Sequence, residues 1–134
     1  IVNVCSMAGK LKIVKEPLRS RFQAASENED VVKLMDKFIE DVTASEHEAE
    51  GWPNSMYGVS KLGAATYTRV LARRLQPQGV LVNACCPGWC ATDMSSWRGP
   101  KTAAQGADTP CWLALAPPES PTGGWWSERN RFPF

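Results

Sequence analysis

Two short apolar runs flank a long stretch of helical periodicity, and this arrangement limits the fold more than any other feature of the chain. Residues 1–6 (IVNVCS) and 80–88 (VLVNACCPG) have the composition of buried strands in a parallel sheet, and they end in a serine and in a Pro-Gly break. Between them a helical pattern runs from Met56 to about Leu75. The sequence therefore predicts an α/β fold in which two strand ends flank one helix, where open α/β sheets place their ligands.

The predicted helix carries a tyrosine and a lysine four residues apart, Tyr57 and Lys61. Side chains at this spacing lie one above the other, so a phenol stands beside an ammonium. The cation favours the phenolate, which suits the phenol to exchange a proton with a ligand. The same spacing also occurs by chance in many helices, where the tyrosine is an ordinary core aromatic, so the pair alone defines no activity.

Composition and charge exclude several classes of function. The 134 residues are 43% apolar and 22% charged, which is ordinary for one globular domain with a core. The formal charge is +1 and basic residues are scattered among acids, so neither nucleic acid nor a membrane is an expected partner. No run reaches the roughly 20 apolar residues that span a bilayer. A small molecule is the expected partner.

The five cysteines and the single histidine predict neither disulfides nor a metal site. An odd number of thiols and the absence of a secretory signal are typical of a reducing compartment, so the predicted location is cytoplasmic. Cys85, Cys86 and Cys90 cluster, but they include no Cys-x-x-Cys pair of the kind that binds zinc. Cys86 is interpreted as a partly exposed thiol, and His47, within an acidic connector, as a surface residue.

Periodicity and turn residues divide the rest of the chain. Apolar positions at helical spacing predict a helix from Ser26 to Ala44, with a capping box formed by Ser26 and Glu29. A further helix is predicted from Thr102 to about Ala116, and Pro110 is expected to kink it or delay its start. Loops are predicted at 7–23 and 89–100, and a short edge strand at 124–127. The helix residues predicted to face solvent include Arg69, Arg73 and Arg74.

Five segments together resemble the short-chain dehydrogenase/reductase family and, within it, the monomeric carbonyl-reductase branch. These segments are 2–6 (VNVCS), 34–41 (LMDKFIED), 50–61 (EGWPNSMYGVSK), 83–94 (NACCPGWCATDM) and 113–118 (LALAPP). They follow the family's order over nearly the whole chain. Tyr-x-x-x-Lys is general to the family, whereas Glu-Gly-Trp-Pro before the tyrosine and Asn-Ala-Cys-Cys-Pro-Gly-Trp after it are typical of the carbonyl-reductase branch.

The resemblance implies the carboxyl-terminal part of a Rossmann-like doubly wound parallel sheet, with residues 1–134 as a single partial domain. The chain does not begin with Met and Ile1 already lies in a predicted strand, so the amino-terminal cofactor-binding half, with its Gly-rich turn, is expected to precede Ile1. The implied activity is the NADPH-dependent reduction of ketones, aldehydes or quinones to alcohols.

The resemblance also assigns roles to residues. Tyr57 is the implied general acid, Lys61 assists it and holds the nicotinamide ribose, and Ser6 donates a hydrogen bond to the substrate oxygen. Cys5 stands where the family usually has the first of two serines. The implied cofactor-binding residues are Tyr57, Lys61, Pro87, Gly88, Thr92 and Asp93. The implied substrate-binding residues are Ser6, Trp89 and Met94.

The helix predicted from Ser26 to Ala44 lies between Ser6 and Tyr57, where most of the family has far fewer residues. It is therefore interpreted as a helix inserted before the catalytic tyrosine, and it is expected to lie beside the Tyr57 helix. Typical family members pair through that surface, so the insertion predicts a monomer.

Two other functions remain open. A catalytically inactive, truncated binding or regulatory module is one, because half of a doubly wound sheet leaves an unpaired strand edge and exposed apolar faces. A sugar-nucleotide epimerase or dehydratase of the same superfamily is the other. It shares Tyr-x-x-x-Lys, but it gives no reason for the Glu-Gly-Trp-Pro segment and needs a longer substrate region after residue 88.

Overall fold

A single four-stranded sheet with the order β1-β2-β3-β4 organises the computed structural model, which describes all residues from 1 to 134. The strands are β1 (Val2–Val4), β2 (Asn83–Cys86), β3 (Trp125–Ser127) and β4 (Asn130–Phe132). The first three are parallel, and β4 is antiparallel to β3. The prediction of an α/β fold with a parallel-dominated sheet is confirmed, with shorter strands than the apolar runs indicated.

Four α-helices and four short 3₁₀ turns connect the strands. The helices are α1 (Leu18–Ala24), α2 (Asn28–Thr43), α3 (Met56–Leu75) and α4 (Ala103–Ala114). The 3₁₀ turns are Met7–Gly9, Leu11–Ile13, Gln76–Gln78 and Asp93–Ser95. None of the helices combines the length and apolar character needed to span a membrane.

Helices cover both faces of the sheet, because apolar side chains alternate between the faces along each strand. On one face Ala84 and Trp125 pack against Ala65 of α3. On the other, Cys85 packs against Leu113 of α4. This is the layering of a doubly wound sheet.

The predicted inserted helix, α2, lies beside α3. Leu34 of α2 shares the largest buried cluster with Val59 and Leu62 of α3. A methyl group on Gly63 would come within 2.5 Å of the sulfur of Met35, so the helices are in direct contact where α3 has no side chain. The predicted position of the insertion is confirmed.

The start of α2 differs from the prediction by one residue. The capping box is formed by Glu27 and Asp30, not by Ser26 and Glu29. The Asp30 carboxylate accepts the backbone N–H groups of Ser26 at 2.9 Å and Glu27 at 3.0 Å, and these bonds hold the pKa of Asp30 below its ordinary value. The observed capping box is more favourable than the predicted one, because the Asp30 carboxylate accepts two N–H groups that otherwise have no partner.

The start of α4 follows its capping signal rather than its proline. Thr102 and Gln105 form the predicted capping box, and the helix begins at Ala103. Pro110 lies inside the helix, so it does not delay the start as expected. Its missing N–H removes one helical hydrogen bond, which the rest of the helix tolerates.

The prediction of a loop over residues 7–23 is wrong. The segment contains two 3₁₀ turns and begins α1, in which Leu18 and Phe22 are almost fully buried. The four-residue spacing of these two apolar side chains is the only local pattern that indicates a helix here. The pattern is weak, because α1 has only seven residues and its N-cap, Pro17, makes no side-chain capping bond.

The prediction of an edge strand at 124–127 is half wrong. β3 lies between β2 and β4, and β4 is the edge. Glu128 and Arg129 form the two-residue connection, with φ values of 52° and 56°. Hairpin turns with two positive φ values favour Asn and Gly, so the sequence carried no signal for this one.

Arg69 does not face solvent as predicted. Its Nη2 atom donates hydrogen bonds to the carbonyl oxygens of Phe22 and Gln23 at 2.8 and 2.9 Å. These carbonyls lie in the last turn of α1, whose terminal oxygens have no partner within the helix. Arg73 and Arg74 are exposed, as predicted.

Candidate active site

The turn that follows β1 packs directly against α3. A methyl group on Gly9 would lie 2.6 Å from the backbone N of Leu62 and 2.6 Å from the carbonyl carbon of Lys61. A methyl group on Gly58 would lie 3.0 Å from the carbonyl oxygen of Ala8. Two glycines, one on each side, therefore permit the contact that holds Ser6 near the turn of α3 that carries Tyr57 and Lys61.

Lys61 connects the strand end to the tyrosine. Its Nζ donates a hydrogen bond to the carbonyl oxygen of Val4 at 3.1 Å, two residues before Ser6. The same Nζ lies 5.7 Å from the centroid of the Tyr57 ring, within cation–π range. The structure thus brings the predicted catalytic residues together at the carboxyl end of β1.

The tyrosine is accessible. Tyr57 is 53% exposed although it lies in the first turn of α3. The Oγ of Ser55, the N-cap, accepts the N–H of Gly58 at 3.1 Å and fixes that turn. The phenol is therefore placed on a stable backbone and remains open to a ligand.

The ends of β1 and β2 are adjacent. The N–H of Met7 donates to the sulfur of Cys86 at 3.3 Å, which ties the residue after Ser6 to the last residue of β2. Pro87 and Gly88 follow immediately, and Gly88 has a φ of +83°, a conformation that other residues rarely adopt. The predicted break after the strand is therefore beside the Ser6 turn.

The segment from 89 to 101 is a loop with a fastened base, not an unstructured one. The N–H of Ala91 donates to the carbonyl of Lys101 at 2.7 Å, and the N–H of Lys101 donates to the carbonyl of Trp89 at 3.2 Å. Thr92 and Ser95 cap a 3₁₀ turn at the loop's far end. Backbone hydrogen bonds thus restrain the loop at its base and at its far end.

Three of the four predicted ligand-binding residues on this loop, Trp89, Asp93 and Met94, are exposed, and Thr92 is half-buried. Trp89 is 60% exposed and Met94 is 92% exposed. The Asp93 carboxylate accepts the indole N–H of Trp97 at 3.1 Å. No hydrogen bond joins Thr92 or Asp93 to Ser6, Tyr57 or Lys61. The link between the loop and the predicted catalytic residues is therefore the contact of Met7 with Cys86, at the strand end from which the loop begins.

An ion pair that sequence reasoning missed anchors the loop base. The Nζ of Lys101 lies 2.5 Å from Glu128, in the turn between β3 and β4, and the lysine side chain covers Gly88. Hydrogen bonding within the pair raises the pKa of Lys101 and lowers that of Glu128. A second pair, Arg129 with Asp108, ties the same turn to α4. The partners are far apart in sequence, so no local pattern predicts either pair.

The segment before Tyr57 is tied to the inserted helix. The buried Trp52 donates its indole N–H to Asp41 of α2 at 2.8 Å, and Lys37 donates to the same carboxylate at 2.8 Å. Lys37 also pairs with Glu50 at 3.3 Å. The bond from Lys37, and then that from Trp52, hold the pKa of Asp41 below its ordinary value. The Glu-Gly-Trp-Pro segment therefore holds α2 against the residues that lead into α3, the helix that carries Tyr57 and Lys61.

The thiols and the histidine differ in part from their predictions. All five cysteines are free, but Cys86 is 5% exposed, so its interpretation as a partly exposed thiol is wrong. Burial raises the pKa of Cys85 to about 12 and also raises that of Cys5. His47 is half-buried rather than on the surface, and neither ring nitrogen has a hydrogen-bond partner. No group of three or more His, Cys, Asp or Glu residues is placed to hold a metal ion.

Comparisons with known proteins show which sequences and structures the chain resembles. A family model described as enoyl-(acyl carrier protein) reductase matches residues 7–110. Carbonyl reductase [NADPH] 3 of Rattus norvegicus is 48% identical in an alignment that covers 90% of this chain and 46% of that protein. Carbonyl reductase [NADPH] 1 of Homo sapiens is 42% identical in an alignment that covers 97% of this chain and 50% of that protein.

Solved structures give the same result. Salutaridine reductase from Papaver somniferum superimposes with a TM-score of 0.86 at 33% identity, over 94% of this chain and 44% of that one. Menthone neomenthol reductase from Mentha piperita superimposes with a TM-score of 0.77 at 27% identity, over 95% of this chain and 40% of that one. The chain spans about half the length of the curated relatives that it matches, in their carboxyl-terminal half. With a family model matched over most of its length, the chain belongs to the short-chain dehydrogenase/reductase family.

Proposed function

We propose that the full chain reduces ketones, aldehydes or quinones to alcohols with NADPH, and that Tyr57, Lys61 and Ser6 carry the reaction. The observation that supports this most directly is the position of Lys61, which bonds the end of β1 and faces the exposed Tyr57 ring. A reduced nicotinamide, when bound, supplies the hydride for the carbonyl carbon. The protein must supply the proton for the oxygen.

Tyr57 is the proposed proton donor. Its hydroxyl is open to a ligand at the edge of the sheet, and proton transfer from a positioned side chain accelerates reactions by about 10²–10⁴-fold. The Lys61 ammonium stabilises the phenolate that remains after the transfer.

Lys61 also fits a cofactor ribose. An ammonium has three N–H donors, and Lys61 uses one of them on the Val4 carbonyl. Two donors remain, which matches a pair of neighbouring hydroxyl groups. We propose that Lys61 binds these hydroxyls, and that Pro87, Gly88, Thr92 and Asp93 bind the nicotinamide side.

Ser6 is the proposed donor to the developing oxyanion. Its Oγ accepts the backbone N–H of Ala8 at 3.2 Å, an arrangement that leaves its own O–H free to donate. A donor of this kind typically contributes about 3 kcal/mol to transition-state stabilisation.

The proposed substrates have a flat apolar body. Trp89 and Met94 present exposed apolar surface on the loop beside the catalytic residues, and an indole face suits an aromatic ketone or quinone. Relatives of this chain include proteins named carbonyl reductase [NADPH], which supports both NADPH and a carbonyl substrate.

We also propose that the full chain is a cytoplasmic monomer. α2 covers the face of α3 where typical family members pair, and β4 covers the edge of β3 with a strand of only three residues. The free cysteines fit a reducing compartment. Sedimentation as a dimer would contradict the monomer.

Two tyrosines on the same helix allow a matched test of the mechanism. In the full chain, Tyr57→Phe is expected to lower kcat for a quinone at least 10²-fold, with NADPH still bound. Tyr67→Phe changes the other tyrosine of α3 and is expected to keep kcat. Retention of turnover in Tyr57→Phe would refute the proposed chemistry.

One observation favours the alternative of an inactive binding module for residues 1–134 taken alone. β1 is an outer strand with a neighbour on one side only, and Val4 within it and Ile1 before it are more than half exposed. An unpaired apolar strand edge is a template for another chain. We expect the isolated 134 residues to bind NADPH weakly or not at all in a fluorescence titration; tight binding would count against this alternative.

A further inference from the structure

Two neighbouring tryptophans of β3 differ in how their indole N–H groups are satisfied. Trp126 donates to the Oδ1 of Asn83 at 3.1 Å. Trp125, on the opposite face of the sheet, is 4% exposed, and its Nε1 is buried with no acceptor. A buried donor without a partner costs free energy, so such groups are rare in native structures.

Trp125 lines a cavity of about 350 Å³ between α3 and the sheet. Arg69 also lines it, and the Nε of Arg69 is a second buried N–H without an acceptor. The other Arg69 contacts are the two carbonyls of α1 and the ring of Phe134, 4.0 Å away, and none of the chain's ion pairs includes it. The cavity therefore has two unused donors, one of which belongs to a cation without a counter-ion.

Most of the remaining lining is apolar or bare backbone, and one residue is a second cation, the exposed Arg131. The apolar and backbone part is formed by Ala65, Ala84, Gly123, Gly124, Phe132, Pro133 and Phe134, and no acidic side chain lines the cavity. Burial, and then the nearby Arg73, lower the pKa of Arg69, as expected for a guanidinium that lacks an anion. A ligand that completes this site must carry an acceptor with negative charge and an apolar body.

We propose that this cavity is a binding site for a small carboxylate with an aromatic or aliphatic body. The carboxylate accepts the N–H groups of Trp125 and Arg69, and the apolar body lies against the alanine and phenylalanine side chains. A bond from a neutral donor to a charged acceptor is among the stronger hydrogen bonds in proteins.

The site is separate from the proposed catalytic residues. Arg69, which supplies one of the two donors, follows Lys61 and Tyr57 on α3 by eight and twelve residues. At 1.5 Å per residue it lies about 12 and about 18 Å farther along the helix than those two residues. Binding can therefore be measured without turnover, and the failure of one proposal leaves the other standing.

The test is a titration of the full chain with benzoate, followed by the ¹H–¹⁵N signals of the tryptophan indoles. Benzoate is expected to shift the Trp125 signal and leave the Trp126 signal in place. Benzamide, the neutral analogue, is expected to shift neither.

Two Trp→Phe variants, which reduce the size of the side chain by the same amount, complete the experiment. Trp125→Phe removes the unused donor and is expected to weaken benzoate binding about tenfold or more, since bonds to charged groups are strong. Trp126→Phe removes the donor that Asn83 already satisfies and is expected to leave benzoate affinity unchanged, while near-ultraviolet circular dichroism confirms that both variants fold.

Three results would overturn the proposal. One is a Trp125 indole N–H signal that does not shift at high benzoate concentration and shows a cross-peak to water. This result would mean that an ordered water, not a carboxylate, accepts the Trp125 N–H. Another is an equal response to benzamide, which would remove the requirement for charge. The third is undiminished benzoate affinity in Trp125→Phe.

Discussion

A methyl group added at Gly9 is expected to disable the candidate site without unfolding the protein. The added carbon would lie 2.6 Å from Leu62 N and Lys61 C, whereas ordinary contact begins at 3.4 Å. The two close atoms are helix backbone, so the Met7–Gly9 turn must move away from α3 by about 0.8 Å. Overpacking of this kind costs about 1–3 kcal/mol of stability.

The same movement displaces Ser6, which directly precedes the turn, from Tyr57 and Lys61. A misplacement near 1 Å at a reacting group costs about 10²-fold in rate. Gly9→Ala is therefore expected to lower kcat about 10²-fold in a quinone reduction assay of the full chain, with folding followed by thermal unfolding.

Gly79→Ala is the matched control. Gly79 has a φ of +71° and nothing within 4 Å of an added methyl group. The left-handed backbone makes this change cost about 1–2 kcal/mol, but kcat should be unchanged. In a Ser6→Ala background, Gly9→Ala should cost much less activity than in the wild type, because both act on the same hydroxyl. A Gly9→Ala protein with wild-type kcat, or losses that add fully, would refute the reasoning.

Two further predictions concern the loop and the inserted helix. Lys101→Met removes the ion pair with Glu128 and is expected to raise the labelling rate of the Cys90 thiol severalfold, since Cys90 pairs with Lys101 at the loop base. Exchanging the two charges (Lys101→Glu with Glu128→Lys) should restore slow labelling, and an unchanged rate in Lys101→Met would contradict the anchoring role. Trp52→Phe is expected to make thermal stability less dependent on acid pH, because the pKa of Asp41 is held low by Lys37 and by Trp52. That contribution is complete above about pH 4 and is lost as the pH falls through the lower, folded pKa, so an equal loss of Tm between about pH 7 and about pH 3 in variant and wild type would contradict it.

The predictable parts of the fold are those with a local signal. α2 and α4 follow from apolar periodicity and capping residues, and each begins within two residues of its predicted start. The spacing of Tyr57 and Lys61 fixes their relation on α3, because one helical turn places them together whatever the rest of the chain does.

The parts that escaped prediction depend on contacts between distant segments. Arg69 was predicted to face solvent because its position on α3 gives no sign of the two α1 carbonyls, 47 and 46 residues away, that accept its hydrogen bonds. The Lys101 pair spans 27 residues. β4 was missed because its turn uses Glu128 and Arg129 in a conformation that glycine and asparagine usually signal.

The two halves of the candidate site are held by different means, and this difference has a functional consequence. Lys61 and the Ser6 turn are fixed by backbone contacts within the chain: a carbonyl of β1 on one side and a glycine pressed against helix backbone on the other. Trp89 and Met94 have most of their surface in solvent, although the loop that carries them is held at its base and by a capped 3₁₀ turn. Preorganised donors stabilise a transition state without reorganisation, whereas exposed apolar side chains gain contacts only when a ligand arrives. The proposed catalytic residues are thus preorganised within this chain, whereas the proposed substrate contacts of Trp89 and Met94 form only on binding.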